Sequence, residues 1–173
     1  TSDISPTAGQ IPRSIGLALA SKLYRNIDSE IKNKFTINGN EICWATIGNA
    51  STSQGIFFEA MNAAAVIQIP LIMSVWDDGY GISVDNKIQT VKSSISEALL
   101  GFSSKYDDKP LKIFRVNGWD YSKMIEVYSE AEEIARKNHT PVLIHVDELT
   151  QPLGHSSSGS HQRYKSEERL KWE

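Results

Sequence analysis

The sequence predicts an α/β fold in which a doubly wound parallel sheet carries helices on both of its faces. Short apolar segments alternate along the chain with longer segments of helical periodicity. The apolar segments are almost continuous, as is typical of strands that are buried on both faces of a sheet. Because strands that alternate with helices form βαβ crossovers, the strands are expected to run parallel.

The first half of the chain is predicted to form two helices and two strands. Pro12 suits the first turn of a helix, and Ile15, Leu19, Leu23 and Ile27 follow it at four-residue steps. The predicted elements are a helix over residues 12–27, a strand over 42–47, a polar loop over 48–55, an Ala-rich helix over 56–67 and a strand over 71–76.

The second half continues the alternation and ends in a polar tail. The predicted elements are a weaker helix near 93–103, a strand over 113–116, a helix over 121–137 and a strand over 142–146. The apolar face of the last helix comprises Met124, Val127, Ala131, Ile134 and Ala135. Residues 1–149 are therefore predicted to form the α/β domain. Residues 150–173 are predicted to add a His/Ser-rich loop and a charged tail, whose run over 165–171 is interpreted as a solvated helix face.

Composition excludes several classes of protein. The chain has 173 residues, 18 Lys and Arg against 21 Asp and Glu, and a net charge of -3, which argues against nucleic acid as a partner. Cys43 is the single cysteine, so we expect no internal disulfide and a cytoplasmic location. The apolar run over 63–75 is shorter than the roughly 20 residues that span a bilayer, so no membrane segment is expected. The start at Thr1 without a leader pattern suggests a piece of a longer chain.

Two polar loops follow strands that should be neighbours in the sheet. They are Gly48-Asn49-Ala50-Ser51 and Asp77-Asp78-Gly79-Tyr80. In open parallel sheets, ligands bind at the carboxyl ends of the strands. Both loops offer hard oxygen ligands beside small residues whose backbone N–H groups can approach a phosphate. The sequence therefore predicts a site for a magnesium-bridged diphosphate at this edge of the sheet.

The order of these motifs resembles a known family. Gly48-Asn49-Ala50 followed by Asp77-Asp78 is similar to the thiamine diphosphate fingerprint, in which Gly-Asp-Gly precedes Asn-Asn. From about residue 5 to 170, the chain resembles the alpha subunit of the decarboxylating component of 2-oxo acid dehydrogenases. The supporting segments are Gly9-Gln10-Ile11-Pro12, Gln54-Gly55, Phe58-Glu59-Ala60, Asn62-Ala63-Ala64, Tyr80-Gly81-Ile82-Ser83 and Gly154-His155-Ser156-Ser157-Ser158.

The resemblance implies a thiamine diphosphate-binding fold and assigns roles to particular residues. It implies that Mg²⁺ is held by the side chains of Asn49 and Asp78 with the Tyr80 carbonyl, and that His155 is the acid–base residue. Contacts to the cofactor are implied for Thr7, Gly48, Asn49, Ala50, Ser51, Asp78, Tyr80 and His155. The sequence departs from the family pattern because the carboxylate and the amide have exchanged places: Asn49 stands for Asp, and Asp78 stands for Asn.

The resemblance also implies a reaction and partners. The substrate would be a small 2-oxo acid, either branched-chain (2-oxoisovalerate-like) or pyruvate, which is decarboxylated before its acyl group passes to a lipoyl-bearing acyltransferase. A beta-type subunit or domain would supply the carboxylate that activates the aminopyrimidine. Residues 1–173 alone are therefore expected to fold but to be inactive, with loop 150–164 mobile in the absence of cofactor.

Other interpretations stay open at this point. The same cofactor serves transketolase-type and acetoin-cleaving enzymes, and the altered Gly-Asn-Ala motif is also compatible with a degenerate, non-catalytic assembly domain. Ser156 and Ser158 match positions at which some relatives carry regulatory phosphates, and the sequence alone leaves this question open.

Overall fold

A four-stranded parallel sheet lies at the centre of the fold. The computed structural model describes residues 5–27, 30, 32–103 and 111–173. The strands are Cys43–Gly48 (β1), Leu71–Trp76 (β2), Tyr80–Gly81 (β3), Val84–Asp85 (β4), Lys112–Asn117 (β5) and Val142–Asp147 (β6). The order in the sheet is β1-β2-β6-β5, while β3 and β4 form a separate antiparallel hairpin.

Helices cover both faces of the sheet, which confirms the predicted doubly wound α/β fold. The helices are Ile11–Asn26 (α1), Lys32–Phe35 (α2), Gly55–Ile67 (α3), Asn86–Gln89 (α4), Ile95–Ala98 (α5), Tyr121–Asn138 (α6) and Glu167–Trp172 (α7). The core on one face is formed with α1, α3 and α5, and the core on the other face with α6. Within the described part of the chain, no helix combines the length and apolar character that crossing a membrane requires.

Strand β2 shows how the two cores are separated. Met73 and Val75 belong to the core that includes Phe57 of α3, whereas Ile72 belongs to the core beneath α6. Successive side chains of a strand point to opposite faces, so a continuous apolar strand serves both cores. The predicted bounds of this strand, residues 71–76, are confirmed.

The apolar face predicted for the first helix is right at Ile15 and Leu19, which pack against the core, and wrong at Leu23 and Ile27. The buried residues of α1 are Ile11, Ser14, Ala18 and Ser21, whereas Leu23 and Ile27 are exposed. A helix has 3.6 residues per turn, so residues at four-residue steps are rotated by about 40° from one to the next and do not remain on one face of the helix. The buried residues of α1 are separated by three, four and three positions, which keeps them on one side of the helix. The face of α6 was predicted correctly, since Val127, Ala131 and Ala135 are all buried.

The sequence did not predict the short elements of the fold correctly. The weaker helix predicted near 93–103 is divided between α5 and a 3₁₀ turn over Leu100–Ser103. The predicted loop 48–55 contains a 3₁₀ turn over Ala50–Ser53, and the β3–β4 hairpin, α2 and α4 had no sequence signal. Periodicity becomes informative only over windows of about 11–18 residues, which these elements do not reach.

The charged tail is not simply a solvated helix face. The side chain of Lys165 is fully buried, and its Nζ donates to both carboxylate oxygens of Glu173 at 2.8 Å. Arg169 Nε also donates to Glu173 at 2.9 Å. The solvated interpretation is therefore wrong at Lys165, because a charge that is paired on folding can leave water. The division of the chain at residue 149 stays a prediction.

Two adjacent phenylalanines of α3 offer a test of the helix register. Phe57 has no exposed surface, whereas Phe58 is 36% exposed. We expect Phe57→Ala to lower the free energy of unfolding by about 3–5 kcal/mol, because it opens a cavity in the core. Phe58→Ala should cost about 1 kcal/mol or less, mainly through the lost contact between the two rings. Urea unfolding measures both values, and equal losses would contradict this register.

Candidate functional site

A cavity of about 460 Å³ lies at the carboxyl edge of the sheet. Its walls come from the segments that follow β1, β2 and β6. Of the residues predicted for the site, it brings together Gly48, Asn49, Ala50, Ser51, Asp78, Tyr80 and His155. Trp76, Gly81, Ile82, Leu149, Thr150 and Gln151 complete the lining. The cavity thus joins residues that are more than a hundred positions apart in the sequence.

Thr7 is the one predicted site residue that is not among the lining residues. It is exposed in a turn just before α1. The same turn continues into buried structure, where the backbone N–H of Ile11 donates to the carbonyl of Ala8 at 3.0 Å. The contact of Thr7 with the cofactor stays a prediction.

Backbone hydrogen bonds join the loops that form the cavity. Gly48 and Trp76 are paired at the ends of β1 and β2, and the N–H of Asn49 donates to the Trp76 carbonyl at 2.9 Å. The N–H of Asp77 donates to Val146 at 2.8 Å, and the carbonyl of Asp77 accepts from Leu149 at 3.0 Å. Backbone pairing between neighbouring strands therefore continues past the strand ends and aligns the loops along one edge of the sheet.

Tyr80 connects the two side chains that were predicted to bind metal. Its backbone N–H donates to Asp78 Oδ1 at 3.1 Å, and its carbonyl accepts from Asn49 Nδ2 at 3.0 Å. A carbonyl oxygen has two lone pairs, so one remains for a further partner. A carboxylate, an amide oxygen and a backbone carbonyl are the hard donors that Mg²⁺ prefers, so this donor set fits the metal.

The two neighbouring aspartates differ in their electrostatics. Burial raises the pKa of the Asp78 carboxyl and the charge of Asp77 adds to the rise, against the Tyr80 N–H and Lys165, which stabilise the charged form. Burial alone would also raise the pKa of Asp77. Hydrogen bonds from His145, the Gly79 N–H and the Asn86 amide outweigh it and hold the pKa of Asp77 below its ordinary value.

His155 lies in an exposed loop that reaches the rim of the cavity. Its Nδ1 accepts the backbone N–H of Ser157 at 3.0 Å, and its carbonyl accepts the N–H of Ser158 at 3.0 Å. When the imidazole is neutral, this bond to Nδ1 places the ring proton on Nε2. The expected mobility of loop 150–164 without cofactor stays a prediction.

Three residues beneath the cavity are not among the predicted site residues. They are Asp77, Asn86 and His145. All three are buried, and Asp77 is hydrogen-bonded to both Asn86 and His145. No periodic pattern marks Asn86, which begins the single-turn helix α4 after the hairpin. Only the fold shows that this residue lies beside Asp77.

The fold and the cavity together define a class of protein. The chain is an open parallel α/β domain with a cavity at the carboxyl ends of its strands, where ligands bind in such sheets. Its fold is similar to that of transketolase from Campylobacter jejuni subsp. jejuni NCTC 11168, with a TM-score of 0.58 at 18% identity. The similarity covers 83% of this chain and 20% of the transketolase chain.

A family model described as dehydrogenase E1 component matches residues 2–173, and the chain belongs to this family. It is 29% identical over 140 residues to 2-oxoisovalerate dehydrogenase subunit alpha of Bacillus subtilis (strain 168), with coverage of 81% of this chain and 36% of the relative. It is 26% identical over 162 residues to pyruvate dehydrogenase E1 component subunit alpha of Rickettsia bellii (strain RML369-C). That alignment covers 93% of this chain and 43% of the relative. The chain therefore spans less than half the length of these relatives.

Replacing Asp78 by asparagine tests the raised pKa of this residue. Above the raised pKa, the half-buried carboxylate destabilises the fold. The asparagine side chain would keep an oxygen that accepts from Tyr80 without carrying the charge. We therefore expect Asp78→Asn to raise the melting temperature of the protein at pH 7 in EDTA. The gain should shrink as the pH falls towards the ordinary aspartate pKa of about 3.9, where the native side chain is protonated.

The matched control is Glu59→Gln, which removes the charge of an exposed carboxylate on α3. This change should leave the melting temperature nearly constant at both pH values, because an exposed carboxylate is already solvated. An unchanged or lower melting temperature for Asp78→Asn at pH 7 would contradict the raised pKa.

Proposed function

We propose that this chain forms the thiamine diphosphate- and Mg²⁺-binding part of the alpha subunit of a 2-oxo acid dehydrogenase. The observation that carries the proposal is the single cavity that collects seven of the eight predicted cofactor residues from three separate strand ends. The named relatives act on 2-oxoisovalerate and pyruvate, which supports a small 2-oxo acid as the substrate. The enzyme would accordingly be an oxidoreductase that uses a lipoyl acceptor.

Residues of both strand-end loops would hold the cofactor. The oxygens of Asn49 and Asp78 and the carbonyl of Tyr80 would bind Mg²⁺. Gly48, Ala50 and Ser51 carry little or no side chain, so their backbone can approach a diphosphate closely. Held there, thiamine diphosphate would supply the nucleophilic carbon and the electron sink that decarboxylation of a 2-oxo acid requires.

His155 would serve as the acid–base residue at the rim of the cavity. The bond from Ser157 occupies Nδ1, so Nε2 is the nitrogen that would release or accept a proton near the substrate. A hydrophobic portion of the rim, which includes Trp76 and Leu149, would limit the access of water to the reacting atoms. These residues do not activate the aminopyrimidine, a task that we assign to a carboxylate of the beta-type partner.

Two further features of the whole enzyme belong to the proposal. The acyl group would pass to a lipoyl group on an acyltransferase, as in complexes of 2-oxo acid dehydrogenases. A cytoplasmic location, inferred from the single cysteine Cys43, stays a prediction. The transketolase-type or acetoin-cleaving alternative is not favoured, because the family and the curated relatives are dehydrogenase E1 components, while the transketolase likeness shows the fold alone.

Replacing Asp78 by alanine tests the metal site and the degenerate-domain alternative together. Asp78 is the only carboxylate among the proposed ligands, so Asp78→Ala should weaken Mg²⁺-dependent binding of thiamine diphosphate by about tenfold or more. Calorimetry on the complete enzyme, with and without Mg²⁺, measures this change. Unchanged affinity would contradict the metal assignment, and absence of Mg²⁺-dependent binding in the unaltered enzyme would favour a non-catalytic assembly domain.

The activity of the isolated chain provides a separate test. We expect residues 1–173 to release no carbon dioxide from a 2-oxo acid, because the activating carboxylate is on the partner. Addition of the beta-type partner and the rest of the alpha subunit should restore release, and His155→Ala should abolish it. Leu153→Ala, an exposed change in the same loop, serves as the control. Decarboxylation by the isolated chain that is sensitive to His155→Ala would refute this expectation.

A further inference from the structure

A buried chain of hydrogen bonds runs beneath the proposed cofactor site and ends at Asn49. His145 Nε2 lies 2.9 Å from Asp77 Oδ2, and Asn86 Nδ2 donates to both oxygens of Asp77 at 2.7 and 2.9 Å. Asn86 Oδ1 then accepts from Asn49 Nδ2 at 2.7 Å. These four residues are between 1% and 8% exposed. Buried polar groups are costly unless they are paired, so the pairing pattern constrains each side chain.

The chemistry of the donors and acceptors determines how each amide is oriented. The carboxylate of Asp77 can only accept, so Asn86 must turn its NH₂ group towards it. The Oδ1 atom of Asn86 consequently faces Asn49, and Asn49 must present Nδ2 to it. Turning either amide over would bring two oxygens into contact in place of a hydrogen bond.

This orientation leaves one polar atom of Asn49 for a ligand. Nδ2 is shared between Asn86 Oδ1 and the Tyr80 carbonyl. Among the described residues, Oδ1 of Asn49 has no hydrogen-bond partner, and Asn49 lines the cavity. An amide nitrogen cannot bind a cation, whereas an amide oxygen can. The orientation of this one amide therefore decides whether position 49 contributes a metal ligand.

We propose that Asn86 is a positioning residue of the cofactor site, which, together with Asp77, holds the Asn49 amide with its oxygen available to the metal. The inference rests on the proposed function, because it concerns the same cation. Asn86 also binds the adjoining loop through its backbone, since its N–H donates to Gly79 at 3.0 Å. The same residue thus joins the loop that carries Asp78 to the side chain of Asn49.

The role of Asn86 adapts the site to its exchanged ligands. An aspartate at position 49 would have no hydrogen to offer to Asn86 Oδ1 or to the Tyr80 carbonyl. Asparagine provides that nitrogen and still keeps an oxygen. The negative charge of Asp77 lies on the far side of Asn86 from Asn49, where His145 and Asn86 bind it.

An exchange of two side chains tests the proposal. Asn86→Asp keeps the shape but removes both donors and places a carboxylate against Asp77. We expect it to weaken Mg²⁺-dependent binding of thiamine diphosphate by about 10–100-fold, as is typical when a group that orients a metal ligand is lost. In the double variant Asp77→Asn with Asn86→Asp, residue 77 donates to residue 86, which still accepts from Asn49. Affinity should therefore return nearly to that of the unaltered enzyme.

The measurement is calorimetric titration of the complete enzyme with thiamine diphosphate at fixed Mg²⁺, accompanied by the melting temperature without metal. Asn62→Asp, which makes the same change at an exposed position of α3, is the control and should leave both values unchanged. If Asn86→Asp melts below the assay temperature, Asn86→Ala carries the same expectation without an added charge.

Three outcomes would overturn the inference. A purely structural role predicts a lower melting temperature for the Asn86 variants but full affinity of the folded protein. A double variant that folds yet binds as weakly as Asn86→Asp would show that the pairing pattern does not matter. Failure of the unaltered enzyme to bind thiamine diphosphate with Mg²⁺ would instead remove the proposed function, and the inference with it.

Discussion

Strand β2 pairs in parallel with β1 on one side and β6 on the other. This pairing aligns the ends of the three strands, and therefore the loops that form the cavity, at one edge of the sheet. Gly48 lies beside Trp76, and Trp76 lies beside Val146, so three strands end at one edge of the sheet. The register continues into the loops, because Asn49 and Asp77 donate their backbone N–H groups to the ends of the neighbouring strands. Without this pairing, the amide of Asn49 and the carboxylate of Asp78 would not meet at Tyr80.

The buried hydrogen bonds that join His145, Asp77, Asn86 and Asn49 beneath the cavity depend on that alignment. Asp77 is 2% exposed, yet its carboxylate is stabilised by His145, Asn86 and the N–H of Gly79. A buried carboxylate with these partners keeps its charge, whereas its neighbour Asp78, which has fewer partners, has a raised pKa. The charge of Asp77 is thus already paired within the protein. Asp78 is the carboxylate that gains most from a cation.

The tail after residue 149 is connected to this edge at both of its ends. Leu149 donates its N–H to the carbonyl of Asp77, and the ring of Tyr164 packs against that of Tyr80 with centroids 5.1 Å apart. The buried pair of Lys165 and Glu173 lies next to this contact, with Lys165 Nζ 5.5 Å from the centre of the Tyr80 ring. The loop that carries His155 is therefore flanked by two residues, Leu149 and Tyr164, that contact the edge of the sheet.

Local patterns in the sequence determined the fold class, the bounds of β2, the buried face of α6 and the two strand-end loops, because each depends on residues that are close in the chain. The exchange of Asn49 and Asp78 was visible from the resemblance to the thiamine diphosphate fingerprint. Only the tertiary structure decided the contacts of Asn86 with Asp77 and of Lys165 with Glu173. Periodicity records which side of an element is apolar, but a hydrogen bond between separate elements depends on how they pack. The orientation of the Asn49 amide therefore belongs to the folded protein.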